Sequence, residues 1–152
     1  MKKGHARGHY ETIKKVMEAL QGTNDRQIVA WYDPKGNAGK SRLTAHLYET
    51  GQAWTVQAQD NVWGIVQDVA SKYIDGGWRP IVVIDIPRTW KWTLDLNVAI
   101  ERIKDGLIKD AKYPPHTVHI RGVKVLVTCN IMPMLDKLSK DRWIVVNSEE
   151  TL

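Results

Sequence analysis

Hydrophobic residues follow two different periodicities along this chain. Unbroken runs of apolar, largely β-branched residues occupy 28–32, 53–56, 81–84 and 123–127. Between them, apolar residues recur every three or four positions, as on one face of a helix, around 43–47, 62–73 and 96–107. Unbroken apolar strands that alternate with helices are typical of a parallel sheet covered on both faces. The pattern predicts an α/β domain whose last sheet strand is 123–127, with Asp60 as the cap of the helix over 62–73.

A separate amphipathic helix is predicted ahead of this alternation. Its apolar positions recur at helical spacing and are Tyr10, Ile13, Val16, Met17 and Leu20. Charged residues lie between them, and Gly22-Thr23-Asn24-Asp25 ends the run. We therefore divide the chain into a helix over 1–22 and a domain over 23–152. Two uses of the helix stay open, because it can pack on its own domain or against neighbouring subunits as an oligomerisation helix.

Residues 33–41 read D-P-K-G-N-A-G-K-S and lie between an apolar run and a helical segment. A strand that leads through a glycine-rich turn into a helix directs several backbone N–H groups towards one point, at the positive end of the helix dipole. An ammonium there can reach the outer phosphates of a nucleotide, and a hydroxyl can supply one ligand to Mg²⁺. The segment predicts a P-loop in an AAA+-like fold, with these binding residues: Gly36, Asn37, Ala38, Gly39, Lys40 and Ser41.

The motif departs from the usual pattern at one position. Glycine is expected five residues before Gly39, and this chain has Pro34 there. Pro34 fixes one φ angle, and Gly36 can still supply the positive φ that the turn needs. The alternative is an ordinary glycine-containing surface loop that precedes a lysine. No Asn-Lys-x-Asp motif is present to recognise guanine, so we expect ATP as the nucleotide.

Polar residues end two of the apolar runs. In a parallel sheet the ligand lies beyond the carboxyl ends of the strands. Asp85 is expected to hold Mg²⁺ opposite Ser41, and Asn130 is expected to orient the attacking water beside the γ-phosphate. Many P-loop ATPases carry a carboxylate directly after the magnesium-binding acid, but this chain has Ile86. Asp33 or an acid from elsewhere would then have to activate the water.

A second cation is expected to offset charge on the phosphates during hydrolysis. Arg142 follows Asn130 at the distance where ring ATPases carry an arginine finger, aimed at the nucleotide of the neighbouring subunit. The alternative is a surface arginine paired with Asp141. The catalytic set expected from the sequence is therefore Lys40, Asp85, Asn130 and Arg142.

Composition narrows the class of protein. The chain has 152 residues, a single cysteine and a formal net charge of +5. One cysteine excludes a disulfide framework, and no apolar run approaches the roughly 20 residues of a membrane span or forms a signal peptide. We expect a soluble intracellular protein with no membrane contact. The moderate excess of positive charge favours an anionic partner, for which nucleic acid is the natural candidate.

A basic segment with almost no acids follows the predicted helix over 96–107. Its cationic and histidine side chains are Lys109, Lys112, His116, His119, Arg121 and Lys124. Pro114-Pro115 and Gly122 interrupt it, so we expect a turn between short strands that projects its cations from one edge of the domain. Such loops in a ring would line a pore and grip phosphates without reading base sequence. The alternative is a solvated basic hairpin.

Several motifs in order resemble one known family. W-Y-D-P-K-G-N-A-G-K-S, V-V-I-D-I-P-R, I-E-R-I-K-D-G, K-Y-P-P, V-L-V-T-C-N and S-K-D-R-W are similar to the superfamily 3 helicase domain of replication-initiator (Rep) proteins of small circular single-stranded DNA viruses. The D-I-P-R variant is most similar to the nanovirus and alphasatellite branch. The resemblance covers about residues 10 to 147.

The resemblance implies a hexameric ring that uses ATP to pull single-stranded DNA in the 3′ to 5′ direction during rolling-circle replication in the host nucleus. Its collar would be the N-terminal helix. It assigns Lys40 and Ser41 to phosphate and Mg²⁺, Asp85 to Mg²⁺ and Asn130 to sensing. The segment from Lys112 to Arg121, with His119, would grip DNA. The endonuclease motifs of the family are missing, so the chain resembles the motor part of a longer protein. The competing hypothesis is an ATP-binding assembly module with little motor activity.

Overall fold

The computed structural model describes residues 2–36, 39–59, 61–110, 116–134 and 140–148. For residues 2–9, 110 and 116 it describes the backbone only. Four helices are described: α1 (Lys2–Gln21), α2 (Lys40–Glu49), α3 (Val62–Gly76) and α4 (Leu94–Asp105). Seven strands are described: β1 (Ile28–Tyr32), β2 (Ala53–Gln57), β3 (Ile81–Ile86), β4 (Leu107–Asp110), β5 (His116–His119), β6 (Lys124–Cys129) and β7 (Trp143–Asn147).

Five of these strands form one parallel sheet in the order β2-β3-β6-β1-β7. The predicted α/β fold with a parallel central sheet flanked by helices is confirmed. Strand β6 lies between β1 and β3. The chain therefore forms β1, β2 and β3 before β6 fills the centre of the sheet. The remaining two strands, β4 and β5, pair antiparallel as a separate hairpin between the end of α4 and the start of β6.

The alternation of side chains divides the sheet into two covered faces. Alternate residues of the central strands, such as Val29 and Leu126, pack under α1 and α2. The intervening residues, such as Ala30 and Val127, pack under α3, α4 and the hairpin. Both faces are therefore buried, which explains why the strands are apolar at every position.

Helix α1 shares a core with the sheet. Val16 and Leu20 are fully buried and pack in the same cluster as Val29 and Trp31. Of the two uses that the sequence left open, the structure shows packing on the chain's own sheet for this half of the helix. Residue 22 is thus not a boundary between two units with separate cores. Tyr10, near the other end, is 68% exposed.

Three sequence expectations about elements were wrong. Strand β7, absent from the prediction, forms the sheet edge beside β1, so 123–127 is not the last strand. Leu107 begins β4 rather than ending α4, because Gly106 adopts a left-handed conformation and stops the helix. Asn61, not Asp60, caps α3 by accepting a hydrogen bond from the Gly64 N–H, while Asp60 lies outside the described residues. None of the described helices is both long and apolar enough to span a membrane.

Candidate functional site

A cleft of about 630 Å³ opens at the carboxyl ends of β1, β3 and β6, beside the start of α2. Polar side chains and glycine backbone dominate its floor near the loop over 33–41. The residues used below are Gly36, Lys40, Ser41, Asp85, Arg88 and Asn130. Five of them were expected from the sequence, namely Gly36, Lys40, Ser41, Asp85 and Asn130. They come from three separated segments of the chain, and the fold brings them to one cleft.

Strand register brings the two polar strand ends together. Asp85 is paired with Thr128 across β3 and β6, and alternation points both to the face that α2 covers. The Thr128 hydroxyl donates a hydrogen bond of 2.8 Å to Asp85 Oδ1. A carboxylate held by one oxygen keeps a fixed orientation, and its other oxygen is left for a ligand in the cleft.

The loop over 33–41 takes the conformation that its glycines allow. Gly36 and Gly39 have φ angles of 74° and 95°, in the left-handed region. Gly39 caps α2, and its carbonyl accepts the Leu43 N–H at 3.0 Å, so the helix begins directly at the loop. The expectation that Gly36 supplies a positive φ despite Pro34 is confirmed. Asn37 and Ala38 lie outside the described residues.

Lys40 extends from the first turn of α2 towards the end of β6. Its Nζ donates to the Cys129 carbonyl at 3.4 Å. Burial lowers the pKa of this lysine, and the guanidinium of Arg88 lowers the pKa further, whereas the carboxylates of Asp33 and Asp85 raise it. The ammonium of Lys40 is therefore influenced by two carboxylates and by a second cation.

Asn130 lies directly beyond β6, beside the loop. Its Nδ2 donates a hydrogen bond of 2.7 Å to the Asp33 carbonyl, at the end of β1. Strand β6, which precedes Asn130, pairs in parallel with β1. The amide is thereby held at the junction between the glycine-rich loop and the strand that carries Thr128.

The donor set at the cleft suits Mg²⁺ bound together with a phosphate. Mg²⁺ prefers oxygen ligands and is commonly held by one or two protein groups, several waters and phosphate oxygens. Ser41 offers a hydroxyl and Asp85 a carboxylate oxygen on the same cleft. In the described part of the chain no cluster of three or more histidine, cysteine or acidic side chains could hold a metal by itself. The residues present therefore fit a metal that arrives with its phosphate ligand.

The structure places Arg142 far from this cleft, at the amino end of β7. Its guanidinium donates to the Arg26 carbonyl at 3.1 Å, the Glu101 carbonyl at 3.3 Å and Asp105 Oδ1 at 2.7 Å. A further ion pair joins it to Glu101, and the residue is only 8% exposed. The partners are Glu101 and Asp105 rather than Asp141. The guanidinium of Arg142 thus joins α4 to the amino end of β7, and its expected role at a neighbouring subunit stays a prediction.

Sequence reasoning missed Arg88. It follows Asp85 by three residues, past Ile86 and Pro87, and lines the cleft beside Gly36. The signal available in the sequence was a cation just after a strand-ending acid, on the side of the sheet where ligands bind. Ile86 itself is buried on the opposite face of the sheet. Among the described residues that line the cleft, Asp85 is the only acid.

The basic segment was predicted to contain short strands joined by a turn. Strands β4 and β5 of this segment pair antiparallel as a hairpin. Lys109 and His119 are exposed on its outer face, and exposed Arg121 follows in the next turn. Lys124 differs from the expectation, because its Nζ donates to the Thr23 carbonyl at 3.1 Å and the Gln21 carbonyl at 3.4 Å, at the end of α1. Lys112 lies outside the described residues.

The fold and the cleft define an α/β protein with a glycine-rich loop, an ammonium and a carboxylate at the carboxyl edge of a parallel sheet. Comparison with known proteins adds a second, independent finding. The chain is 28% identical over 131 residues to the Master replication protein of Subterranean clover stunt virus (strain F), covering 86% of this chain and 43% of that protein. It is 33% identical over 130 residues to Para-Rep C7 of the Faba bean necrotic yellows C7 alphasatellite, covering 84% of this chain and 44% of that protein.

The Master replication protein of Banana bunchy top virus is 30% identical over 122 residues, or 80% of this chain and 40% of that protein. No protein-family model matches the chain. Its homologues are thus nanovirus master replication proteins and alphasatellite Rep proteins, at about 30% identity over most of the chain. The chain spans about two-fifths of the length of these curated relatives.

Proposed function

We propose that this chain is the ATP-dependent motor of a viral replication protein, a P-loop domain of the superfamily 3 helicase type that moves along single-stranded DNA. One observation carries the proposal. The Lys40 ammonium, the Ser41 hydroxyl, the Asp85 carboxylate and the Asn130 amide line one cleft at the start of α2, where backbone N–H groups and the helix dipole favour a phosphate. The similarity to replication proteins supports the same reading from outside the site.

The side chains have distinct roles in this proposal. The backbone N–H groups at the start of α2 and Lys40 bind the β- and γ-phosphates. Ser41 and Asp85 would hold Mg²⁺, which would supply positive charge to the phosphate oxygens. Asn130 orients a water molecule whose oxygen forms a bond to the γ-phosphorus. The bond to the bridging oxygen breaks, ADP leaves with the electron pair, and both protons of the water leave with the inorganic phosphate as H₂PO₄⁻, which then equilibrates with solvent.

The hairpin β4–β5 is the proposed contact with single-stranded DNA. Lys109 and His119 on the outer face of the hairpin and Arg121 in the next turn are exposed, and positively charged side chains on such a face attract phosphates regardless of base sequence. Lys112 would add to this surface. We further propose that copies of the chain assemble as a ring, with six subunits as in the family that it resembles, and that the protein acts in the host nucleus.

The proposal is tested by ATP hydrolysis with and without a single-stranded DNA oligonucleotide. Hydrolysis that DNA stimulates, and that Lys40→Ala abolishes, is expected. Lys72→Ala is the matched control, because it removes an exposed lysine from α3, outside the proposed site. Hydrolysis that survives Lys40→Ala would contradict the assignment of the cleft, and a rate that DNA does not change would contradict the motor.

A second function has one observation in its favour. The position after Asp85 is occupied by buried Ile86, and the described cleft contains no second acid to activate water. This favours an assembly module that binds ATP, oligomerises on DNA and hydrolyses ATP slowly. The two functions are separated by the same assay together with sedimentation, because a module of this kind would change its mass with ATP and keep a low rate on DNA.

A further inference from the structure

Arg88 is fixed in position by the connection between β3 and α4. Pro87 restricts the backbone at the start of this connection, and its carbonyl accepts the Trp90 N–H at 3.1 Å. Trp90 packs against the core, while Trp92 is buried and hydrogen-bonded to Asn97 of α4. The backbone of Arg88 is thus held between Pro87 before it and two packed tryptophans after it, which places the arginine at the cleft.

The guanidinium of Arg88 approaches the glycine-rich loop at Gly36. A Cβ atom at residue 36 would lie only 3.2 Å from Arg88 Nη2 and 3.9 Å from Asn130 Nδ2. The absence of a side chain at Gly36 therefore leaves room for two donors at the same point above the loop. Lys40 lines the same cleft as Gly36, Arg88 and Asn130, so a phosphate bound by the loop and Lys40 would lie within the same cavity as both donors.

Arg88 forms no salt bridge with any residue that the structure describes, whereas Arg142 is joined to two acids. Burial is the main cause of the lowered pKa of Lys40, and the guanidinium of Arg88 adds a smaller contribution in the same direction. Two cations held close together at an open cleft repel each other, and an anion between them would relieve that repulsion.

We propose that Arg88 is an arginine finger supplied in cis, which contacts the γ-phosphate of the nucleotide bound in its own subunit. The assignment rests on the proposed nucleotide site. An arginine donates from a planar fork to phosphate oxygens and stabilises the charge that develops on them as the bond to ADP breaks. It gives the site the second cation that Arg142 was expected to bring from a neighbour.

The direct test compares the full chain with Arg88→Ala, Arg88→Lys and Lys91→Ala. Lys91 is the matched control because it is an exposed cation on the same connection and does not line the cleft. Arginine fingers are worth about 10³-fold or more in kcat, so Arg88→Ala is expected to lose about that factor while Lys91→Ala retains the wild-type rate. Arg88→Lys is expected to recover only part of the loss, since lysine lacks the bidentate fork.

A second readout does not depend on turnover. Aluminium fluoride with Mg²⁺-ADP imitates the phosphate in transfer, and it is expected to tighten ADP binding to the wild-type chain and to Lys91→Ala but not to Arg88→Ala. Binding of ADP alone is expected to change less than threefold, because the guanidinium contacts the outermost phosphate only. Equal loss of ADP and ADP–aluminium fluoride binding would show a general electrostatic effect and overturn the proposal.

Mixing variants decides between supply in cis and in trans. Lys40→Ala retains Arg88 but has a defective cleft, and Arg88→Ala has the reverse defect, so a mixture regains activity only if one subunit donates Arg88 to another. No recovery is expected. Recovery would overturn the cis assignment.

Failure of this inference and failure of the nucleotide site give different results. If Lys40→Ala loses ATP binding and Arg88→Ala behaves like Lys91→Ala, the role of Arg88 is wrong and the nucleotide site stands. If Lys40→Ala has no effect on ATP binding, both are wrong.

Discussion

The two ends of the central sheet each hold an arginine near acidic side chains, and the two arginines are in opposite situations. Arg142, at the amino end, is 8% exposed and its guanidinium donates three hydrogen bonds, to the carbonyls of Arg26 and Glu101 and to the Asp105 carboxylate. Arg88, at the carboxyl end, is exposed beside a left-handed glycine and makes no described ion pair. A cation whose partners are all supplied by the fold stabilises the fold, whereas a cation without them is available to a ligand.

The same difference extends to the lysines. Lys104 is 3% exposed and its Nζ donates to the Val123 carbonyl at 2.7 Å, deep in the amino end. Lys40 makes a longer contact of 3.4 Å to the Cys129 carbonyl and faces the cleft. Residue type alone therefore does not show which cations the fold uses as donors in its interior. The length of their hydrogen bonds and their burial separate the two groups.

The largest expected difference between the two ends is in stability. Arg142→Ala leaves the carbonyls of Arg26 and Glu101 and the Asp105 carboxylate without their donor, and we expect the free energy of unfolding to fall by about 2–4 kcal/mol. Arg88→Ala removes no described hydrogen bond and should stay within about 0.5 kcal/mol of wild type. Urea denaturation of both variants checks this. Equal destabilisation would remove the distinction between the two arginines.

The next largest expected effect is on the rate of ATP hydrolysis and its dependence on Mg²⁺ concentration. Asp85→Asn keeps the shape of the side chain but loses the charge that attracts Mg²⁺, so we expect hydrolysis to fall by at least about 100-fold. Thr128→Val removes only the hydroxyl that orients Asp85, and a hydrogen bond of about 1 kcal/mol corresponds to roughly a fivefold increase in the Mg²⁺ concentration for half-maximal rate. Magnesium titrations of the ATPase rate measure both. An unchanged titration for Asp85→Asn would exclude it as the metal ligand.

A smaller effect is expected at the hairpin. Arg121→Ala removes one exposed cation, so the plot of log affinity for single-stranded DNA against log salt should become shallower by about 0.7. Fluorescence anisotropy with a labelled oligonucleotide at several salt concentrations gives the slope. Lys124→Ala serves as the comparison, because its ammonium is used at the end of α1. A slope that changes with Lys124 and not with Arg121 would place the DNA elsewhere.

The smallest expected effect is a dependence of the unfolding free energy on pH, caused by Lys104 at the amino end of the sheet. Burial lowers the pKa of Lys104, and nearby Lys124 and Arg142 lower it further, while Asp25 and Asp105 raise it. Since the unfolded chain binds this proton more tightly, the stability that Lys104 contributes rises with pH between its lowered pKa and the ordinary lysine value of 10.5. The difference in unfolding free energy between wild type and Lys104→Met should therefore shift in favour of wild type as pH increases. A difference that does not vary with pH would contradict the lowered pKa.

Periodicity and strand ends were sufficient to predict most of the fold and part of the cleft. Asp85 and Asn130 were found because parallel strands bring their carboxyl ends to one edge, and the glycine-rich loop was found because its spacing has a physical meaning. Strand β7 is as long as β1 and β2 and was still missed, because nothing in the local sequence shows that its apolar run pairs with β1.

The two arginines could not be assigned from the sequence. The environment of Arg142 depends on α4, some 40 residues away, whose Glu101 and Asp105 meet it only after the sheet has formed. The position of Arg88 depends on the turn after Pro87 and on the absence of a side chain at Gly36. Sequence spacing suggests which strand end a residue follows, but the partners of a long flexible cation are set by tertiary packing.

The central claim is that the carboxyl end of the sheet binds a nucleoside triphosphate and the amino end does not. Titration of a fluorescent ATP analogue in the presence of Mg²⁺ tests it directly with the wild-type chain, Lys40→Ala and Arg142→Lys, whose folded fractions are checked by circular dichroism. We expect saturable binding to the wild type, retention in Arg142→Lys and loss of at least about tenfold in affinity in Lys40→Ala. Equal affinity of Lys40→Ala and wild type would contradict the account.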